Sequence, residues 1–468
     1  MVDCLPMKER DTIAAISTPA GSGAIAVVRI SGPETYKILE QIFSTSSKHF
    51  KKTDLRSAGS HKAIHGYIYD PKSNELVDEV VAILYQEPNT YTGDDLAEIN
   101  CHGSPLISRE LLALILENGA RLAQPGEFTK RAFLSGKMDL TQAESVLDLI
   151  QAKTGRQSRL AISALEGHLG RKITEIRNQL MELLSKLIAG IDFPEEVGEL
   201  PRDDLELIGS AAAEKLEKLS QTTRSGRFLR EGLKLSLVGR PNAGKSSLLN
   251  QLLSFERAIV SDTPGTTRDS IEEPLDLNGI PVILVDTAGI RITEDSIEKA
   301  GIERTTRAIR ESDLTLFIVD STIPFEEPEE KILELIGEAP YIKVFNKIDL
   351  TEKRNIQTDG RDDNAAHVFI SAVTGEGVDE LSNRIEEWVL KDNSLKEAGG
   401  SLNQRQGELC RAAIKSLNHM VESSRAGMLE DCIATDLKEA IHALSEACGD
   451  EVTEEVITEV FSRFCIGK

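Results

Sequence analysis

The stretch Gly239-Arg240-Pro241-Asn242-Ala243-Gly244-Lys245-Ser246 constrains this chain more than any other. It follows an apolar run, Leu233 to Val238, that predicts a buried strand, and it precedes Ser247 to Leu253, which predicts a helix. Strand, glycine-rich turn and helix in that order make G-x-x-x-x-G-K-S a phosphate cradle. Successive N–H groups from residues such as Ala243, Gly244 and Ser247 converge with the helix N-terminus on an anion. Lys245 adds charge at the β- and γ-phosphates, and the Ser246 hydroxyl suits Mg²⁺.

A nucleotide domain is expected over 227–390, with strands at Leu233–Val238, Ile271–Leu277, Pro281–Val285, Leu314–Val319, Tyr341–Phe345 and Val368–Ser371. Asn278-Gly279 is a hairpin signal, so one strand should run antiparallel while helices join the rest. That is a doubly wound sheet with its ligand at the carboxyl ends of the strands. Four further motifs stand in the order a GTPase needs. In Gly265-Thr266-Thr267-Arg268-Asp269, Thr267 can give a second hydroxyl to Mg²⁺. In Asp286-Thr287-Ala288-Gly289, Asp286 suits the Walker-B role and the Gly289 N–H can meet the γ-phosphate. Asn346-Lys347-Ile348-Asp349 reads the base: the Asp349 carboxylate can accept from the guanine ring N–H and exocyclic amine, two donors adenine lacks there. Ser371-Ala372-Val373 presents backbone N–H to the guanine carbonyl.

Two positions depart from the small-GTPase pattern. Where many such enzymes carry a water-orienting Gln after D-T-A-G, this chain has Ile290, which cannot polarise water. Glu298 is the candidate replacement; by residue type alone it reads equally as an exposed helical glutamate. Asn242 can hold a monovalent cation against the phosphates, or simply form a Pro-Asn turn.

The other segments differ in period. Residues 11–103 read as strands and tight turns, with a hairpin at His65–Tyr69 and Val77–Gln86, and Leu96–Cys101 as a further strand. Ser104-Pro105 opens a helix that closes at Asn118-Gly119. Thr141-Gln142-Ala143-Glu144 reads as a capping box ahead of a helical pattern running to about Ala189 and stopped at Ile191-Asp192-Phe193-Pro194. Further helices are expected at Asp203–Thr222, Gln404–Glu422, Leu429–Cys448 and Glu451–Phe464. The expected architecture is therefore multidomain, α+β and α/β: an N-terminal α+β domain at 1–137, a helical domain at 138–226 resumed at 391–468, and the nucleotide domain inserted between.

Over 468 residues the formal net charge is −23, so no broad basic surface exists to bind nucleic acid by counterion release. The local run Lys48-His49-Phe50-Lys51-Lys52 reads as a solvated loop. Six scattered cysteines with no CxxC spacing argue for a reducing compartment, and no signal peptide or membrane-spanning run is present, so a cytoplasmic location is expected.

With Asn242, Gly265 to Asp269, Ile290 and the terminal Phe464-Cys465-Ile466-Gly467-Lys468 together, essentially the whole chain resembles the MnmE (TrmE) family of tRNA-modification GTPases. The resemblance implies a homodimer of three-domain subunits: a tetrahydrofolate-binding domain, a helical domain and an inserted GTPase domain. It implies a flavoprotein partner, MnmG, which uses FAD and NADH. Together the two place an aminomethyl or carboxymethylaminomethyl group on carbon five of the wobble uridine in certain tRNAs, the carbon coming from methylene-tetrahydrofolate. It further implies K⁺ held by Asn242 and the loop Ser261-Asp262-Thr263-Pro264-Gly265-Thr266, Mg²⁺ held by Ser246 and Thr267, and Glu298 orienting the water. Pro264 departs locally, removing an N–H and stiffening that loop. Arg29, Glu98, Lys137 and Lys468 match the family's folate positions, and a cation–carboxylate set suits a pterin edge and a glutamate tail. Cys465 matches the family's tail cysteine, with a buried helix-end thiol as the competing reading.

Two other functions compete. A ribosome-assembly GTPase would be an RNA-binding switch without small-molecule chemistry; such proteins usually add a KH or second GTPase domain, and neither is visible in this sequence. A folate-binding protein with a degenerate nucleotide domain is disfavoured because the phosphate, Mg²⁺ and guanine motifs are intact.

Overall fold

The computed structural model describes residues 11–198, 200–255, 275–285, 298–351, 367–390 and 400–468. The chain divides into two compact units. One comprises Met1–Leu147, Leu165–Ala213 and Ala412–Lys468; the other comprises Asp148–Ala164 and Glu214–Arg411.

The first unit is built on a sheet of seven described strands: β1 (Ile13–Ile16), β2 (Ile25–Ser31), β3 (Phe43–Ser44), β4 (Lys62–Tyr69), β5 (Leu76–Tyr85), β6 (Leu96–His102) and β7 (Arg121–Leu122). Their order is β3-β4-β5-β6-β2-β1-β7, antiparallel except for the β1–β7 pair. Period-two burial fixes the register: Asp78, Val80, Ala82 and Leu84 of β5 point inward while Glu79 and Val81 face out. Against the inner face lie α1 (Thr35–Ile42) and α2 (Pro105–Glu117), which bury Ile38, Leu39, Ile42, Leu111 and Ile115 over Val28, Ile30 and Ile99. The expected Ser104 cap is present: its hydroxyl accepts from the Leu106 N–H at 3.3 Å, with Pro105 at the first helical position. Both α1 and α3 (Glu127–Leu134) fall where turns or no element were expected. Each is eight residues long, α1 beginning three residues after Gly32 and α3 directly after Gly126, so punctuation outweighed a two-turn apolar stripe.

The single long helical pattern expected up to Ala189 is three helices: α4 (Leu140–Gln151), α5 (Gly155–Leu165) and α6 (His168–Asp192). Gly167, left-handed at φ 73°, makes the second break. The reciprocal cap of α4 also sits two residues earlier than expected. Asp139 Oδ1 accepts from the Gln142 N–H at 2.8 Å, and Gln142 Oε1 accepts from the Asp139 N–H at 3.0 Å. A carboxylate is as good an N-cap as a hydroxyl, and here it displaces Thr141, whose own hydroxyl donates to Asp139. A short α7 (Pro194–Val197) follows, then α8 (Arg202–Glu231), nine residues longer than expected at its C-terminal end.

The second unit contains a sheet of six described strands: β8 (Leu233–Val238), β9 (Leu275–Leu277), β10 (Ile280–Leu284), β11 (Leu314–Asp320), β12 (Tyr341–Asn346) and β13 (His367–Phe369). Their order is β13-β12-β11-β8-β10-β9, parallel except for the edge strand β9. The Asn278-Gly279 turn joins β9 to β10 with φ of 52° and 84°, the left-handed pair a tight hairpin needs. β11 is buried at every position, as a central parallel strand should be. The helices α9 (Lys245–Phe255), α10 (Glu298–Glu311), α11 (Glu327–Ile336) and α12 (Val378–Leu390) complete the doubly wound layer.

Three helices follow: α13 (Gln404–Arg425), α14 (Glu430–Cys448) and α15 (Glu454–Ser462). Within the first unit α14 packs along α6, and α15 packs on α3 through Phe133, Phe461 and Phe464. No helix among the described residues is long and apolar enough to cross a membrane.

Candidate functional site

Three of the sequence motifs meet at the carboxyl ends of β8, β12 and β13. The loop after β8 turns sharply at Asn242 (φ 63°) and Gly244 (φ 97°) before α9 begins at Lys245. Gly244 is required there twice over: its backbone is left-handed, and a Cβ would stand 2.1 Å from Asn346 Nδ2. That atom donates to the Ala243 carbonyl at 2.9 Å, and Asn346 Oδ1 accepts from the Ala372 N–H at 2.9 Å. One buried amide thus ties the loop before α9, the Asn346–Asp349 segment and the Ser371-Ala372 turn together.

Lys245 folds into the loop and donates to the Gly239 and Arg240 carbonyls, each at 2.8 Å. Burial holds its ammonium below the usual lysine range. Carbonyls alone only partly compensate such a charge, and phosphate oxygens are better partners for it. Ser246 and Ser247 lie exposed on the first turn of α9, and Asn242 is exposed at the crest of the loop. Arg240, which sequence reasoning left unassigned, reaches the buried carboxylate of Glu329 on α11 at 3.1 and 3.3 Å and so braces the loop from behind. Asp349 is exposed in the short turn Ile348–Leu350, free of the core and aimed at no structural partner that would compete for it among the described contacts.

Other predicted site residues lie outside the described residues: Ser261 to Thr267, Asp286 to Gly289 and Ile290. Glu298 is the first residue of α10.

A separate cluster forms on the first unit. Arg29 on β2 and Glu98 on β6 are register partners, and Arg29 donates from Nε at 3.1 Å and Nη2 at 2.7 Å to Glu98 Oε1. The guanidinium also lies 5.7 Å from the Tyr91 ring centre and 5.5 Å from that of Phe128, two aromatic neighbours that sequence reasoning missed. The segment 465–468 docks here. The Gly126 N–H donates to the Cys465 carbonyl at 3.3 Å, the Phe128 N–H to the Lys468 carbonyl at 3.2 Å, and Ser17 Oγ to the Gly467 carbonyl at 2.9 Å. Lys468 is held below the ordinary lysine range, first by burial and then by repulsion from Arg29, with Glu98 opposing. Lys137 is exposed just beyond α3, with no described bond joining it to this pair. Cys465 is exposed rather than a buried helix-end thiol, because α15 ends at Ser462 and Phe464 takes the core position instead.

Two family models match this chain: the GTP-binding protein TrmE N-terminus over residues 12–137, and the MnmE helical domain over residues 140–465. A tRNA modification GTPase MnmE from Thermoanaerobacter sp. (strain X514) is 44% identical over 466 residues, covering 98% of this chain and 99% of that protein. Another, from Acetivibrio thermocellus, is 42% identical over 471 residues, covering 99% and 100%. The G domain of the T. maritima FeoB iron transporter is 30% identical, covers 33% of this chain and 98% of its own, and superposes with a TM-score of 0.25. The glycine-rich loop before α9 and near-full-length kinship agree: the chain is a GTP hydrolase and belongs to the MnmE/TrmE family of tRNA modification GTPases.

Proposed function

We propose that this enzyme couples GTP hydrolysis to modification of carbon five of the wobble uridine in certain tRNAs, working as a cytoplasmic homodimer with an MnmG-type flavoprotein. The added group is aminomethyl or carboxymethylaminomethyl, its carbon supplied by a tetrahydrofolate derivative, while FAD and NADH act in the partner.

The observation that carries this reading is the docking of residues 465–468 beside Arg29 and Glu98. A bare GTPase switch has no use for a cation–carboxylate pair walled by Tyr91 and Phe128 and closed by a docked tail. An aromatic-lined set of that kind suits a pterin's amide edge, with Lys468 and Lys137 available to an anionic glutamate tail.

At the nucleotide, the chain's own groups divide the work. The N–H groups of Ala243 to Ser247 and the Lys245 ammonium hold the β- and γ-phosphates, and Asp349 selects guanine. Ser371 and Ala372 line the guanine carbonyl. Ser246 and Thr267 would hold Mg²⁺ with Asp286 behind it, and Thr287 to Gly289 would lie along the γ-phosphate. Asn242 with Ser261, Thr263 and Thr266 would hold K⁺, which supplies positive charge where other GTPases use an arginine finger. Glu298 orients the attacking water in place of the absent Gln, and water adds to the γ-phosphorus as the GDP oxygen leaves. Cys465, exposed at the start of the docked tail, is the residue available to the modification chemistry.

Mass spectrometry of tRNA nucleosides from cells lacking the protein, with and without the gene restored, tests the whole reading: unmodified carbon five must appear and then disappear. Unchanged nucleosides in the deletion would refute it. Replacing K⁺ by Na⁺ should slow GTP turnover, and equal rates would remove the cation role of Asn242.

A further inference from the structure

The end of β11 carries a second layer of structure behind the base-reading loop. Asp320 is the last residue of β11 and pairs in register with Asn346, the last residue of β12. Its two carboxylate oxygens have different partners. Oδ2 accepts from Lys347 Nζ at 2.5 Å, while Oδ1 accepts from the Thr322 hydroxyl at 2.7 Å and the Thr322 N–H at 3.0 Å. Asp320 is only 9% exposed, so this is an anchored group and not a solvated surface charge. Burial pushes its carboxyl upward, but the Lys347 and Thr322 donors more than reverse that and leave it below the ordinary range.

Ser321 holds the other side of the same loop. Its N–H and its hydroxyl both donate to the Asn346 carbonyl, at 3.0 and 2.6 Å. Lys347 sits between these restraints with a left-handed backbone, φ 70°. A residue with a Cβ is strained in that conformation and keeps it only where its surroundings over-determine it. Here the surroundings are Asp320 and Ser321 on one side and the Ile370 carbonyl, which accepts from the Ile348 N–H at 3.2 Å, on the other.

We infer that Asp320 is a positioning residue for guanine-nucleotide binding, acting through Lys347. The Asp320-Ser321-Thr322 corner fixes both the lysine side chain and its strained backbone during folding, so that Asp349, two residues on, is presented to the base without reorganisation. Ordering a free lysine side chain costs conformational entropy, and a preordered one leaves that cost out of binding. The inference rests on reading Asn346 to Asp349 as the base-recognition loop.

The test uses the full chain and a fluorescent GDP analogue, with wild type, Asp320→Asn, Lys347→Met and the double variant compared for affinity and for kcat at saturating GTP. Asp320→Asn keeps the shape and removes the charge; it should weaken GDP by about 5–20-fold while kcat stays within about twofold. In the Lys347→Met background the same change should add nothing, since its effect passes through the lysine. Thr322→Val leaves the charge in place but removes the hydroxyl donor to Oδ1, with the backbone N–H kept, and should weaken GDP by about two- to threefold. That variant decides the matter if Asp320→Asn does not fold. Wild-type affinity in Asp320→Asn or in Thr322→Val, or losses that multiply in the double variant, would overturn the inference. Wild-type affinity in Lys347→Met would instead overturn the reading of the loop itself.

Discussion

Asn346 Nδ2 donates to the carbonyl of Ala243 at 2.9 Å across a separation of 103 residues. Both groups are buried, and the same amide accepts from Ala372. Asn346→Ala therefore strands a carbonyl and an N–H at once and should cost about 1–3 kcal/mol in folding free energy. Asn346→Asp keeps the acceptor for Ala372 but sets a carboxylate oxygen against the Ala243 carbonyl. Denaturant titration should find both variants destabilised, and GDP titration should find both weakened. An Asn346→Asp protein with wild-type affinity would contradict the bridging role.

Arg230, at the end of α8, donates from Nε to Asp148 at 2.9 Å, from Nη1 to the Leu402 carbonyl at 2.9 Å, and from Nη2 to Ser401. One guanidinium thus ties together the start and finish of the chain's passage through the second unit. Removing it leaves several acceptors unpaired, so Arg230→Ala should destabilise this unit by about 2–4 kcal/mol. Arg230→Lys should recover little, because a point donor cannot span a planar fork's partners. The chain has one tryptophan, Trp388 on α12, stacked near Arg224 and Phe228, so its fluorescence in urea reports this unit alone.

Gly467 has a left-handed φ of 98°, and a Cβ there would lie 2.4 Å from the Ile16 carbonyl oxygen. Gly467→Ala should unseat residues 465–468 from the first sheet. Calorimetry with 5-formyl-tetrahydrofolate should then show affinity reduced by about tenfold, some 1.4 kcal/mol, with GTP hydrolysis unaltered. Equal folate affinity in wild type and variant would detach the tail from that site.

His102 shares Asp78 with its own backbone: Nδ1 lies 2.7 Å from one carboxylate oxygen and the His102 N–H donates to the other at 2.8 Å. The hydrogen bond and charge of Asp78 raise the imidazole above its ordinary value, aided by Glu79 and opposed slightly by burial. A raised folded-state value means the contact stabilises fully below about pH 6.5 and is lost as pH rises through the folded value. An NMR titration should place His102 above a free histidine, and Asp78→Asn should bring it back down. A wild-type midpoint at the free value would refute the assignment.

Glu298 opens α10, and its proposed work is on the water rather than on the nucleotide. Glu298→Ala should bind GTP and GDP as wild type does, yet hydrolyse GTP about 100-fold more slowly or worse. Single-turnover assays separate the two steps; near-normal hydrolysis would move the role to another group.

Much of the nucleotide domain's fold was legible because its signals are local. Gly239 to Ser246 needs only its own strand and helix to form a cradle, and Asn278-Gly279 makes a hairpin from two left-handed residues in a row. Helix ends were less legible. Asp139 outcompeted Thr141 as a cap, and α1 and α3 are too short for their apolar stripes to stand out beside the glycines before them. Contacts across long sequence separations left no local trace: Arg240 on Glu329, Arg29 beside Tyr91 and Phe128, and Asp320 on Lys347.

The sequence alone determined the chemistry on offer, since a glycine turn, a lysine and an aspartate bring the same donors, charge and acceptor wherever they are folded. Only the tertiary structure decided which side chains brace them. A brace is a pairing between strands or helices brought together by burying apolar faces, and the residues it joins carry no periodicity of their own. Asn346 on Ala243 and the docking of Lys468 beside Arg29 are settled by that packing, at separations no local pattern spans.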